Sequence, residues 1–478
     1  MNSLALLIDF GSTYTKVVAV DLRTAEVIGR SQAASTVNTD VREGLLQALA
    51  ALHEEYALFD HRPTDLGALG DNLVLASSSA AGGLRMAVIG LVPGLTVEAA
   101  NTAALGAGAK LVGSWSFKLP EKALGEIEAQ RPDMILLTGG TDGGDSATIL
   151  HNARLLARSR LSVPIVMAGN QAVSAEVGDI LTNGGKEVRR AANVMPRSGQ
   201  LAVEDAREEI RKLFMDHITH AKGLDKLSGL VPVILPTPMA VLQGALLGAQ
   251  GTATEEGWGD LLVVDVGGAT TDVHSIGYGQ LSGPQMVEQG LPEAYAKRTV
   301  EGDLGIRFNA GTLRDRVGLD EFEEEFRAGF PGLEVPRVEL ANYIEQISQE
   351  VSNVPREPWQ SAVDAQLARL AVELAVERHV GKRERIVTHQ GETWVYYGKD
   401  LTETKTLIGT GGVFIYNSHV SHILSPAVGR DHRYDVLRPK NPRLFVDSSY
   451  LLYAVGLLAQ SQPDVAVRLF KKNMRELG

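Results

Sequence analysis

A chain of 478 residues can build two or three domains with complete cores, and 44% apolar against 22% charged residues is ordinary globular composition. A formal net charge of -12 argues against a surface built to neutralise nucleic-acid phosphates or anionic lipid, and the lack of cysteine excludes disulfides, iron–sulfur clusters, thiolate zinc sites and cysteine nucleophiles. No basic leader or membrane-length apolar window is present, so the expectation is a cytoplasmic protein that engages neither nucleic acid nor membrane.

The first element is an apolar strand, LLIDF, followed by a hydroxyl-rich turn, GST, and a second strand of period two, YTKVVAV. Asp9-Phe10-Gly11 at the bend is the tripeptide that holds magnesium in protein kinases. There it follows a glycine-rich loop, a lysine strand and a catalytic loop, whereas only eight residues precede Asp9 here, so the protein-kinase reading fails on position.

Strand-like runs then alternate with helical patterns. NLVLASSS, DMILLTGG, VPIVMAGN, LVPVILP and DLLVVDVGG read as strands; TVEAANTAALGAGA, EKALGEIEAQ, AVEDAREEIRKLFMDHI and PMAVLQGALLGAQ read as helices, the last opening at Pro238. The alternation predicts an α/β architecture with parallel strands and crossover helices. SSSAAGG, residues 77–83, reads either as a binding loop or as a bend between two paired strands. LTGGTDGGD, Leu137 to Asp145, reads either as a ligand loop or as a strand-to-helix turn capped by Asp145 or Ser146.

After residue 283 the texture turns charged and amphipathic, which predicts a helical insertion near 284–383. Within it the acidic run Glu321 to Glu325 reads as a solvated helix face. ERIVTHQGETWVYYG predicts a hairpin turning at Gln390-Gly391, and KTLIGTGGVFIYN and RLFVDSSYLLYAVGLLAQ return to α/β pattern. His217 with His220, and His419 with His422, have metal-compatible spacing, but no neighbouring carboxylate pattern supports a metal and they read as solvated helix histidines.

LLVVDVGGATTDVHSI repeats the opening segment. Laying Asp265 on Asp9 places Gly267 on Gly11, Thr271 on Thr15 and Val273 on Val17. Two such turns suggest two similar domains facing each other, 1–255 with an α/β insertion and 256–478 with the helical one. Gly11, Ser12 and Thr13 can present amides and hydroxyls to phosphate oxygens, and Gly267, Gly268 and Thr270 can do so from the other side. Asp9 and Asp265 would share one hydrated Mg2+ bridging the phosphates, and Lys16 supplies the cation for the β/γ phosphates.

These residues resemble the actin, Hsp70 and sugar-kinase superfamily of ATPases. DFGSTYTKV and DVGGATTDV look like its two phosphate segments, with Ala269 where Hsp70-like relatives usually have a third glycine. PTPMAVLQGALLGA and FVDSSYLLYAVGLLA look like its two connecting helices, and LIGTGGVF resembles its adenosine strand and loop. The resemblance implies the two-domain, ribonuclease-H-like α/β ATPase fold, with Gly411 and Gly412 at the adenosine.

Across most of the first half, LLIDFGSTYTKV, ASSSAAGGLRMAVIGLVPGLTVEAANTAALGAGAK, ILLTGGTDGGD and PTPMAVLQGALLGA are similar to the glutamate-mutase-associated MutL/GlmL family. That likeness implies an ATP-driven reactivating chaperone whose partners are the subunits of an adenosylcobalamin-dependent mutase; a homo-oligomer is compatible with it. The competing reading is a small-molecule (sugar or carboxylate) kinase on the same fold, with Asp142 as its base. An actin-like filament protein fits the helical insertion less naturally.

Overall fold

The computed structural model describes residues 3–11, 14–36, 39–79, 84–221, 234–279, 286–389, 391–429 and 435–478. The chain divides into two compact units. The first comprises Met1–Gly244, Gly290–Ala294 and Tyr453–Leu469; the second comprises Ala245–Gln289, Tyr295–Leu452 and Phe470–Gly478. Among the described residues no helix is long and apolar enough to cross a membrane.

In the first unit β1 (Leu4–Phe10), β2 (Tyr14–Asp21) and β3 (Glu26–Ala34) form an antiparallel meander. Helix α1 (Val41–Tyr56) crosses over, and β4 (Leu73–Ser78) returns parallel to β1. Ala5, Leu6, Leu7, Ile8 and Phe10 are all fully buried, so β1 is covered on both faces; that is why it reads as a continuous apolar run and not as an alternating one. Asp40 starts α1 by accepting the Arg42 amide at 3.0 Å, and Leu45, Leu49 and Leu52 carry the helix into the core.

The chain then leaves for a second sheet. Here β5 (Leu84–Gly90), α2 (Glu98–Gly106), β6 (Ala109–Ser116), α3 (Glu121–Ala129), β7 (Met134–Leu137), α4 (Ala147–Arg158), β8 (Ile165–Met167), α5 (Ser174–Asn183) and β9 (Val188–Arg190) build an all-parallel sheet in the order β6-β5-β7-β8-β9. Leu6 and Ile8 of the first sheet share one core with Met86, Val88 and Ala104, so this insertion is packed against the first sheet. The bend-between-paired-strands reading of 77–83 is thereby corrected: β4 pairs with β1 and β5 pairs with β6 and β7, in different sheets. Residues 80–83 lie outside the described residues. Helix α6 (Glu204–Ala221) follows; nothing is described of the His217 and His220 side chains. β10 (Ile234–Pro236) then pairs parallel with β4 and closes the order β10-β4-β1-β2-β3, and α7 (Thr237–Gln250) leaves from its end.

The second unit repeats this plan. β11 (Leu261–Val266) and β12 (Thr271–Ile276) are antiparallel; β13 (Met286–Glu288) belongs to a small separate sheet; β14 (Ala296–Glu301) completes the meander against β12. Helices α8 (Ala310–Val317), α9 (Leu319–Gly329), α10 (Arg337–Gln349) and α11 (Pro358–His379) come next. The hairpin β15 (Lys382–Thr388) and β16 (Gly391–Tyr397) forms, but Gly391, expected in the turn, is paired opposite Thr388 and opens β16; Gln390 lies outside the described residues. β17 (Thr406–Thr410), α12 (Gly412–Tyr416), α13 (Val420–Leu424), β18 (Arg443–Asp447), α14 (Leu452–Leu458), α15 (Pro463–Asn473) and β19 (Met474–Glu476) finish the chain. β17 is parallel to β11 and β18 is parallel to β17, giving β14-β12-β11-β17-β18-β19. In strand order and direction β11, β12, β14, β17 and β18 correspond to β1, β2, β3, β4 and β10.

Helix α11 is buried on every side, as a helix without a polar stripe must be. Its buried polar groups are paired: Gln366 donates to Glu325 at 2.8 Å, and the His379 ring lies 2.8 Å from Ser275 Oγ and 2.9 Å from Thr299 Oγ1. The acidic run of α9 is correspondingly less solvated than expected. Phe322 and Phe326 point into the core, and Glu323 is buried with Arg327 at 2.6 Å. His422 is also not a solvated histidine: its Nε2 lies 3.0 Å from Gln366 Oε1, its ring packs on Phe330, and burial lowers its pKa to about 4.

Candidate functional site

In the first unit the candidate site is a row of polar side chains at the carboxyl ends of parallel strands. Asp9, the penultimate residue of β1, pairs in register with Lys16 of β2 and Ser77 of β4, and cross-strand partners project from the same face. The carboxylate is only 2% exposed, so it needs partners. Its Oδ1 accepts 3.1 Å and 2.6 Å hydrogen bonds from Ser77 Oγ and Thr237 Oγ1, and its Oδ2 lies 3.8 Å from Lys16 Nζ. Thr237 is delivered by the first turn of α7, directly after the short strand β10.

The turn after Asp9 closes tightly. The Gly11 amide donates to Tyr14 O at 3.0 Å, and a Cβ on Gly11 would lie 2.7 Å from that same oxygen, closer than real side chains come. Ser35 Oγ donates to Gly11 O at 2.7 Å and braces the turn from β3's end. Ser12 and Thr13, expected on the phosphates, lie outside the described residues.

The second unit builds the same corner from different chemistry. The Gly267 amide donates to Thr270 O at 2.9 Å, the counterpart of the Gly11 bond. Both glycine amides are thus spent inside their turns, and any phosphate contact falls to the residues that follow. Asp265, partly buried, sits in register with Asp272 of β12 and Thr410 of β17. The repeat that lays Asp265 on Asp9 lays Asp272 on Lys16, so a cation in one copy is an anion in the other. Arg298 of β14 offsets that charge, its guanidinium donating to Asp272 Oδ1 at 2.9 Å and 2.6 Å, and Thr270 Oγ1 donates to Asp272 Oδ2 at 3.1 Å.

Gly411 and Gly412 follow β17 beside this corner. Gly411 has φ of +108°, and a Cβ there would meet Val266 O at 2.4 Å and Asp265 Oδ1 at 3.0 Å; Gly412 faces open space. Asp447, at the end of β18, accepts Thr410 Oγ1 at 3.0 Å and the amides of Leu451 and Leu452 at 2.7 Å and 3.0 Å. Burial raises its pKa against the opposing pull of those amides.

The structure therefore gathers Asp9, Gly11 and Lys16 in one unit and Asp265, Gly267, Gly268, Thr270, Gly411 and Gly412 in the other. Sequence reasoning missed Arg298, Thr410 and Asp447, which lie on other strands, and Thr237, which opens α7, because only the pairing of distant segments brings them near; Ser77 fell within the stretch 77–83 that reads as a binding loop or a bend. Asp272 was within reach, since the repeat alignment itself places it on Lys16. Asp142, the candidate kinase base, is elsewhere: in the inserted sheet its Oδ1 accepts Gln171 N and Asn193 Nδ2, each at 2.9 Å. In the same loop Asp145 Oδ1 accepts the Thr148 amide at 3.1 Å, so the capped strand-to-helix turn forms.

Two units with one strand order, each holding an aspartate at the end of its first strand and a glycine turn beyond it, define the two-domain fold of the actin, Hsp70 and sugar-kinase ATPases. The family described as MutL protein matches residues 5–474, and Protein MutL of Clostridium tetanomorphum is 41% identical over 470 residues, 98% of each chain. The chain belongs to this MutL family, the glutamate-mutase-associated one. Among solved structures it is similar to ethanolamine utilization protein EutJ from Carboxydothermus hydrogenoformans (11% identity, 98% of this chain and 91% of that one, TM-score 0.30). It is also similar to xylulose kinase from Bifidobacterium adolescentis (11% identity, 100% and 96%, TM-score 0.30). The fold rests on the strand order of the two sheets, not on these scores.

Proposed function

We propose that the protein binds and hydrolyses ATP with Mg2+ and acts in the cytoplasm as a reactivating chaperone for an adenosylcobalamin-dependent mutase such as glutamate mutase. The observation that carries this reading is the twice-built corner, in which Asp9 and Asp265 stand at equivalent strand ends beside glycine turns. In the proposal both carboxylates serve one magnesium ion. Mg2+ keeps several waters and takes one or two carboxylates together with substrate phosphates, and these two aspartates are hard oxygen donors of that kind. When bound, the ion would offset phosphate charge. Lys16 would hold the β/γ phosphates, the amides and hydroxyls after Gly11 and Gly267 would orient them, and Gly412, where a Cβ would meet nothing within 4 Å, would leave room for the adenosine.

In this reading residues 1–255 and 256–478 act as two ATPase domains, and nucleotide bridging both turns favours the arrangement it binds more tightly. A partner that prefers one arrangement must by linkage alter nucleotide affinity equally. Family membership supports the choice of a mutase as that partner. The kinase reading is weaker because Asp142 is engaged as an acceptor by the Gln171 amide and the Asn193 side chain. The test is ATP turnover by the purified protein with and without adenosylcobalamin-dependent glutamate mutase, alongside recovery of a mutase whose cofactor has been damaged. Turnover that needs no added small molecule and rises with mutase, together with ATP-dependent recovery, is expected. Turnover that appears only with an added sugar or carboxylate would favour the kinase.

A further inference from the structure

Three consecutive carbonyls of the turn after Asp265 are held from one side. Gly267 O accepts the Ile306 amide at 3.1 Å, Gly268 O accepts the Arg307 and Phe308 amides at 2.9 Å and 3.0 Å, and Ala269 O accepts Asn309 Nδ2 at 3.0 Å. In a trans peptide the carbonyl and the following N–H point in opposite directions. Pinning three consecutive carbonyls toward 306–309 therefore aims the amides of Gly268, Ala269 and Thr270 the other way. A run of such amides is an anion-binding concavity.

What pins the segment 306–309 is a buried ion pair. The Arg307 stem lies over Gly268, 3.5 Å from where a Cβ would stand, and its guanidinium donates to Ile306 O at 3.0 Å and to Asp364 Oδ2 at 2.5 Å. Asp364 is on α11, and Tyr343 OH of α10 donates to its other oxygen at 3.3 Å. The side chains of Arg307 and Asp364 are 14% and 5% exposed. Such a pair is held in one geometry, and removing either partner strands a buried charge. No other acidic side chain is hydrogen-bonded to this guanidinium among the described residues.

We infer that Arg307 is a positioning residue for the phosphate turn, and that through Asp364 the helical insertion α10–α11 both sets the turn's shape and responds to its occupancy. This rests on the proposed ATP reading and adds a physical link from the γ-phosphate to the helices outside the repeated core. The link is reciprocal: whatever shifts α10–α11 must change affinity for a nucleotide that fills the turn.

The experiment is calorimetric titration of the full-length chain with Mg-ATP and Mg-ADP, in wild type, Asp364→Asn, Arg307→Lys and the milder Tyr343→Phe. In this inference the amides of Gly268, Ala269 and Thr270 act chiefly on the terminal phosphate, so Asp364→Asn and Arg307→Lys should weaken ATP about tenfold and ADP much less, as expected when oriented donors lose their alignment. Tyr343→Phe should weaken ATP less and in the same direction. Hydrogen exchange should show ATP slowing exchange in 337–379 of the wild type and not in Arg307→Lys. An ATP-to-ADP affinity ratio unchanged in the soluble variants, with ATP-dependent protection of 337–379 retained, overturns the inference and leaves ATP binding standing. A wild-type protein that binds neither nucleotide overturns the ATP reading and this inference together. If Asp364→Asn fails to fold, Arg307→Lys and Tyr343→Phe decide the matter by the same ratio.

Discussion

Thr237 Oγ1 donates a 2.6 Å hydrogen bond to Asp9 Oδ1, joining residues 228 positions apart. With Ser77 as second donor to the same oxygen, the carboxylate has one orientation, and its Oδ2 is left toward Lys16. Helix α7 therefore begins on a side chain that belongs to the candidate site, so any shift of its first turn moves the donor that orients Asp9.

Thr237→Val keeps the shape and removes that donor. Loss of a hydrogen bond to a buried charged group should cost about 2 kcal/mol of stability. ATP turnover should fall by about tenfold through misorientation of the carboxylate. Denaturant melts and steady-state turnover measure the two effects separately; unchanged turnover in a folded variant would remove Thr237 from the site.

Asp9→Ala and Asp265→Ala each remove one of the two carboxylates proposed to hold magnesium. Each should lower Mg-dependent ATP hydrolysis by about a hundredfold or more, since the lost interaction offsets phosphate charge. Circular dichroism should report a retained fold. Full turnover in both variants would sink the assignment of these residues.

The paired glycines after β17 should behave differently. Gly411→Ala must place a Cβ 2.4 Å from Val266 O at a φ of +108°, so it should destabilise the second unit itself. At Gly412 a side chain meets nothing within 4 Å, so Gly412→Val should fold normally and lose nucleotide affinity by filling the space proposed for adenosine. Thermal melts and nucleotide titrations together distinguish the two; wild-type affinity in Gly412→Val would take this loop out of the site.

Acid should weaken the second unit through its buried histidines. His274 has both ring nitrogens buried without a hydrogen-bond partner, and burial lowers its pKa to about 3, with Asp272 pulling it up and Arg298 pushing it down. His379 is lowered in the same direction, first by burial and then by Lys297 and Lys399. The unfolded chain takes up these protons near pH 6.5 and the folded chain does not. The stability is therefore complete above about pH 6.5 and is lost as pH falls toward 3, at about 2 kcal/mol for His274 by pH 5. Denaturant melts at pH 7 and pH 5 should show a drop smaller by that amount in His274→Leu; an equal drop would mean that His274 is protonated in the folded protein.

Much of the molecule was legible because its signals are local. The two Asp-x-Gly turns stand out because a strand, a glycine and a second strand must be contiguous to make a hairpin, and the same apolar pattern flanks both. The hairpin around Gly391, the helix opening near Pro238 and the α/β alternation are legible for the same reason, since backbone geometry and apolar period act over a few residues. The family likeness is carried by such contiguous stretches too.

The sequence by itself determined the hairpins, the repeat and the residues that sit in the glycine turns, because each depends on neighbours along the chain. Only the tertiary structure decided what surrounds the two aspartates. Ser77, Thr237, Thr410 and Asp447 reach them or their neighbours through parallel pairing, and parallel strands must come from distant segments because a crossover separates them. The charge at Asp272 shows the limit most plainly: the repeat aligns it with Lys16, yet whether an acid can stand beside Asp265 depends on Arg298, which arrives on β14 across the sheet. A buried charge is tolerated only where its partner is delivered, and that delivery is a property of the fold.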